Sequence, residues 1–359
     1  MSLVVQESFK RIGYIFRVFG ISWFITIAAM LAILYFMGPQ AALVAAILMV
    51  IEITFSFENA IINAKVVSTL SPFWQKMFLT IGILIAVIGM RVIFPIAVVA
   101  LSANIPWGEV LSLAFNDPDA YSSALETAHP TIAAFGGMFL LVLALHFFLD
   151  DKRKVRWISF IEDPLLRLAS GKKYLYVLIS IFILLVLTVL PANSHPNETI
   201  AAGSLGILIY LVMHGLADAF GKSQNVHSVA KKAGFAGLVG FLYLEILDAS
   251  FSFDGVIGAF AVTDDVILIA AGLGVGAIWV RSLTVHMVEK GTLQKYRYLE
   301  HGAHYTITVL ALTLLAGLFF HVPELIAGIA GITFIGTAIA NSINAKRVAH
   351  EFGGGKIGY

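Results

Sequence analysis

Two ten-residue segments of this chain carry acids at the same spacing. Glu52–Ile61 (EITFSFENAI) recurs 196 positions later as Asp248–Ile257 (DASFSFDGVI), and both copies lie inside apolar stretches long enough to cross a membrane. An acid at bilayer depth costs roughly 2.5 to 3.5 kcal/mol on insertion scales, so such residues mark ion or proton pathways. Glu245 precedes Asp248 by three residues, shares its helical face and is a candidate fifth carboxylate. The chemistry on offer is oxygen ligation of a cation. The candidate ligands are Glu52, Glu58, Asp248 and Asp254, with Glu245 beside them and Asn59 offering an amide oxygen.

In a regular helix a six-residue step leaves two side chains roughly 120° apart around the axis. Each acid pair therefore converges only if the helix unwinds, around Phe55 to Asn59 in the first copy and Phe251 to Gly255 in the second. Helices broken at the midplane, with carbonyls freed as extra ligands, are a device of transporter sites. Gly255 eases the break in the second copy. A second repeated feature accompanies the first: Gly82 to Arg91 parallels Gly272 to Arg281, each with a Gly nine residues before an Arg in an apolar run.

Set against Arg91 and Arg281, four or five carboxylates leave excess negative charge in a low-dielectric setting. A divalent cation balances it, and so does protonation; the two exclude each other locally, which would allow metal/proton exchange. A mostly oxygen ligand set suits Mn²⁺, Mg²⁺ or Ca²⁺ better than Cu⁺ or Zn²⁺. The competing account is that the arginines pair with the acids and brace the bundle. Ser56 and Ser252 are expected to bond backbone carbonyls, a hydroxyl ligand being the alternative.

The elements that must hold these groups are membrane helices. The 359 residues are 59% hydrophobic and 13% charged, where soluble domains are about 25% charged. A net charge of +1 offers no basic surface for nucleic acid, and the lack of cysteine removes disulfides, thiolate metal sites and cysteine nucleophiles. With about 20 apolar residues per span, the expected fold is an all-α polytopic membrane protein with about ten spans, near 18-37, 41-65, 76-101, 131-150, 174-191, 200-220, 234-262, 265-287, 302-320 and 323-341. The first follows Lys10, Arg11 and Arg17 and is taken as a retained span.

Lys and Arg fall in alternate connections, which places those connections and both termini in the cytoplasm, with the plasma membrane as the expected location. The connection Ser102 to Pro130 has neither and carries Glu109, Asp117, Asp119 and Glu126. Ten spans divide into two halves of five, 18-191 and 200-341, followed by a tail at 342-359. Because five is odd, the halves enter the membrane from opposite sides as inverted repeats.

Other features carry less. His146, His286 and His304 lie near cytoplasmic span ends where protons could be shuttled, and His214 shares a face with Asp218. Gly215 to Ser223 lacks the spacing and the preceding strand of a phosphate loop. Gly234, Gly237 and Gly240, and Gly272, Gly274 and Gly276, allow close helix contact, while Pro95 should kink the third span. No metalloprotease or serine-nucleophile motif is present, so an enzyme is not expected and no organic cofactor is implied.

The FSFENAI segment, its partner FSFDGVIGAFAVT and the apolar helix ending in Arg91 resemble the TerC-like integral membrane proteins of the LysE transporter superfamily, from about Val44 to Phe319. The likeness is greatest to their bacterial branch known as a domain of unknown function. This resemblance implies metal-ion transport or homeostasis, with manganese efflux as the activity, and by motif position it implies Glu58, Asn59 and Asp254 as metal-site residues. The chain differs from the usual pattern in having Glu58 where Asp is common and Gly255 where Ser or Asn is expected. The expected function is thus export of a divalent cation, Mn²⁺ first, with Arg91 and Arg281 balancing charge. The alternative is a non-transporting scaffold or stress-response partner with a structural ion. The expected partners are the cation and the bilayer, with a homo-oligomer or another membrane protein left open.

Overall fold

A computed structural model describes residues 3–102, 105–222, 233–260, 262–263, 265–320, 322–323 and 325–352; within these, the side chains of 3–12, 98, 102, 217–222, 253–254, 257–258, 260 and 348–352 are not described. The elements are helical: α1 (Leu3–Phe36), α2 (Pro39–Phe55), α3 (Phe57–Thr69), α4 (Pro72–Leu79), α5 (Ile81–Leu84), a π-helical segment (Ile85–Ile93), α6 (Phe94–Ser102), α7 (Trp107–Asn116), α8 (Pro118–Phe148), α9 (Ser159–Ala169), α10 (Leu175–Val189), α11 (Pro196–Lys222), α12 (Gly234–Phe260), α13 (Val266–Glu289), α14 (Thr292–Lys295), α15 (Leu299–Ala316) and α16 (Leu325–Phe352).

Among the described residues, seven helical stretches are long and apolar enough to cross a membrane, or eight if the bent α2–α3 pair counts as one span. Helices overlap all ten expected span positions. The shortfall has physical causes: α10 has 15 residues, and α15 holds Glu300, His301 and His304 in its first turns. Large apolar side chains face outward, among them Phe24 at 73% exposure and Phe182 at 67%. Water would penalise such a surface and hydrocarbon would not. The connection expected as an outer loop at Ser102 to Pro130 is largely helical, formed by α7 and the first turns of α8. With 31 residues, α8 is about 46 Å long. The tail from 342 begins as helix, since α16 continues to Phe352 and Ser342 accepts the backbone N–H of Tyr298 at 3.0 Å.

The chain forms two compact units, Met1–Ala128 with Val229–Lys290, and His129–Ser228 with Gly291–Tyr359. Each draws on both sequence halves. In the first unit α13 packs against α1, α2, α3 and the π segment, while α12 packs on the π segment and α3. Glycines make the closest approach possible. A methyl at Gly276 would sit 2.6 Å from Glu52 Cβ, and one at Gly272 would sit 2.7 Å from Leu48 Cβ, so α2 lies directly on the backbone of α13. In the second unit α15 pairs with α16 and α10 with α11.

Two irregularities shape the first unit. The α2–α3 pair bends by 53° at Ser56, where the Thr54 hydroxyl donates back to the Val50 carbonyl at 2.7 Å and weakens the local ladder. The third span winds as a π-helix just before Pro95. Proline has no N–H to offer the carbonyl four residues back and its ring crowds that carbonyl. The wider winding, with the Phe94 N–H reaching the Gly89 carbonyl, accommodates it.

Candidate functional site

All the repeated segments meet in the first unit. Glu52 (6% exposed), Glu58 (4%), Asn59 (6%), Arg91 (6%), Glu245 (5%), Asp248 (9%) and Arg281 (1%) are buried there. Each arginine pairs with acids of its own copy. The Arg91 guanidinium forms an ion pair with Glu52 and donates to its own helix at the Ala86 carbonyl at 3.0 Å. Arg281 donates to Asp248 at 2.7 Å, to Glu245 at 3.3 Å and to the Phe78 carbonyl at the end of α4 at 3.0 Å. Its guanidinium also lies 4.2 Å from the Phe78 ring centroid, a favourable cation–π placement.

Local structure decides which acids reach which arginine. Glu245 and Asp248 are three residues apart on α12 and present both carboxylates to one point, as i,i+3 neighbours do. Glu52 sits immediately before the bend, where the Ser56 hydroxyl donates to its carboxylate at 3.2 Å. Glu58 lies beyond the bend, in the first turn of α3, and has no ion pair among the described residues. Four buried carboxylates thus face two buried guanidiniums, counting described side chains alone. Asp254 continues the helical backbone of α12, and its side chain lies outside the described residues.

The two copies differ where unwinding was expected. The first breaks at Ser56, inside the expected window. The second does not break: α12 is helical through Phe251 to Gly255 and on to Phe260. Glu52 nonetheless reaches the second copy, since a methyl on Gly255 would lie 3.4 Å from its Oε2. No group of three or more His, Asp or Glu side chains positioned to hold a metal occurs among the described residues. Any cation here would need Asn, Ser or backbone oxygens beside the acids.

One group on these faces was not singled out from the sequence. Asn63, 1% exposed on α3, donates from Nδ2 to Asp248 Oδ1 at 3.2 Å and links the two copies. Its spacing of four from Asn59 on one helical face was the available clue. Gly82 was already marked by the sequence repeat, and a methyl there would lie 2.8 Å from Glu245 Oε1 and closer still to the Arg281 guanidinium. The repeated Gly of the third span therefore makes room for the arginine of the eighth.

The histidine candidates are packed. His286 contacts the Tyr14 hydroxyl at 3.1 Å, His146 contacts Tyr210 at 2.7 Å and stacks on Tyr176, and His304 stacks on Phe147. His214 lies edge-on to His146, while the side chain of Asp218 and residues 223–232 fall outside the described set. The second unit has its own buried acid, Glu162, fully enclosed. It accepts from Arg153 at 2.8 Å, from the Tyr305 hydroxyl at 3.3 Å and from the Ile158 N–H at 3.2 Å. These bonds clamp the start of α9.

No curated protein and no solved structure matches this chain. A family model described as a protein of unknown function, DUF475, matches residues 57–349, which take in Glu58, both arginines and the whole second acidic segment, and the chain belongs to that family.

Proposed function

We propose that this protein is a secondary transporter that exports a divalent metal cation, Mn²⁺ in the first instance, through the buried carboxylate cluster of the first unit, with proton exchange as the coupling. The observation that carries this is the charge imbalance at the α2–α3 bend: two arginines compensate Glu52, Glu245 and Asp248, while Glu58 is buried with no ion pair among the described residues. A carboxylate without an opposite charge in a low-dielectric site is costly. A cation or a proton removes that cost, and the alternation of the two is a transport cycle. Asp254, at the position matching Glu58 in the second copy, is the second proposed ligand, with Asn59 beside Glu58. Arg91 and Arg281 would hold Glu52, Glu245 and Asp248 whenever the cation is absent.

The same reading takes the helices as ten spans in two inverted halves in a plasma membrane with both termini cytoplasmic, and takes TerC-like transporters as the wider kin. The matched ion pairs support this kinship of the halves: Arg91 with Glu52 in one copy, Arg281 with Asp248 in the other. The test is Mn²⁺ flux into proteoliposomes with internal pH recorded, comparing wild type with Glu58→Gln and Asp254→Asn. Flux that both substitutions abolish, with opposing proton movement, is the expected result; normal flux in either variant removes the proposal.

One observation favours a second reading. Three of the four described carboxylates are already paired, as a rigid brace would have them. A non-transporting scaffold with a structural ion predicts cation binding by wild type without movement of any cation across the bilayer.

A further inference from the structure

The faces of α3 and α12 present oxygen acceptors that no donor satisfies. Asn63 Oδ1, Asn59 Oδ1 and Ser252 Oγ are buried and make no hydrogen bond among the described residues. Buried polar atoms are paired in the great majority of cases, and each exception calls for a cause. The orientation of Asn63 follows from its partner. Asp248 as a carboxylate only accepts, so the amide nitrogen must face it and the amide oxygen must point away.

The three atoms belong to one seam. Asn59 lies one turn before Asn63 on α3, and Ser252 lies one turn after Asp248 on α12, so each pair shares a helical face. Asn63 touches Asp248, while Glu52 approaches Gly255 further along α12. The contacts run in opposite chain order, which sets the two segments antiparallel and brings Asn59 and Ser252 to matching levels. The repeat sharpens the case for Ser252. Its counterpart Ser56 donates to the Glu52 carboxylate. The carboxylate in the same place before Ser252, Asp248, is instead occupied by Arg281 and Asn63. Thr54 and its counterpart Ser250 both bond the carbonyl four residues back, whereas Ser252 does not.

We infer that Asn63 and Ser252 are cation ligands, supplying neutral oxygens to a hard divalent cation held in the α3–α12 seam. This rests on the proposed transport reading and deepens it. Amide and hydroxyl oxygens with carboxylates are the donors that Mn²⁺, Mg²⁺ and Ca²⁺ prefer, and a set without sulfur or imidazole disfavours Cu⁺ and Zn²⁺. The neutral donors also bind without adding charge, so the seam can take up and release a cation with no further carboxylate to neutralise.

The test is Mn²⁺ binding to purified full-length protein, followed by electron paramagnetic resonance with Zn²⁺ as competitor, alongside thermal unfolding with and without Mn²⁺. Ser252→Ala removes an atom that bonds nothing, so without metal the variant should melt at or above the wild-type temperature. Its Mn²⁺ affinity should fall by about ten-fold or more, the scale of losing one supporting group, and the gain in melting temperature on adding Mn²⁺ should shrink. Asn63→Leu should weaken binding at least as much, and Asn63→Asp should restore it. Wild-type affinity in Ser252→Ala and Asn63→Leu overturns the inference and leaves the transport proposal standing. A Ser252→Ala variant that melts lower without metal also overturns it, by making the hydroxyl structural. If the wild-type protein binds no Mn²⁺, Mg²⁺ or Ca²⁺, the transport proposal itself falls, and this inference with it.

Discussion

The Arg91 and Arg281 sites are counterparts in sequence and unequal in structure. Arg281 neutralises two acids of one unbroken helix and adds the Phe78 carbonyl and ring, leaving its Nε without a hydrogen-bond partner among the described residues. Arg91 has one acid, Glu52, and turns a second nitrogen, Nη1, to its own π-wound helix. The second copy is an electrostatic clamp with two acids on one guanidinium. The first is bent, holds an acid, Glu58, with no ion pair among the described residues, and is where a charge from outside could enter. On the proposed transport reading, the second copy holds and the first exchanges.

That contrast predicts unequal costs. Arg281→Leu would strand two buried acids and should cost the most, about 3–5 kcal/mol, measured by thermal or detergent unfolding of the purified protein. Arg91→Leu strands Glu52 alone, which keeps its Ser56 hydrogen bond, and should cost less, about 3 kcal/mol. Equal losses, or a greater loss for Arg91, would break the distinction between clamp and exchange site. Gly276→Ala drives a methyl against Glu52, and overpacking of this kind costs about 1–3 kcal/mol. The matching position of the π segment, Ala86, already buries a methyl. A stability scan should find that substitution harmless to the Arg281 clamp, with its penalty removed when Glu52 is shortened to Asp.

Glu58→Gln should have the smallest effect on stability, because it removes a charge that has no ion pair among the described residues. Unfolding at or above the wild-type level, together with lost Mn²⁺ flux, would sharpen the contrast. Strong destabilisation would show instead that Glu58 is part of a brace.

Much of the site could be found before any coordinates. The spacing of the FSF segments and of the Gly–Arg pairs located Glu52, Glu58, Glu245, Asp248, Arg91 and Arg281, and the structure gathers all six in one unit. The break near Ser56 was also expected, since a six-residue step cannot aim both acids at one point. The continuity of α12 was not. Glycine at 255 permits a break without compelling one, and packing against α3 and the π segment holds the helix straight. Asn63 escaped notice because a lone Asn in an apolar run gives no sign of what lies across the seam.

The chain alone determined the membrane class, the buried acids and the two arginines, because hydropathy and charge act locally and repeat with the sequence. Which acid each arginine neutralises, which helix bends and which oxygens go without a donor were decided by tertiary structure. Those outcomes depend on distances between helices far apart in the chain: Arg281 reaches the carbonyl of Phe78, and Asn63 reaches Asp248. A burial cost can be read one residue at a time, but its compensation is a property of the neighbours that packing supplies.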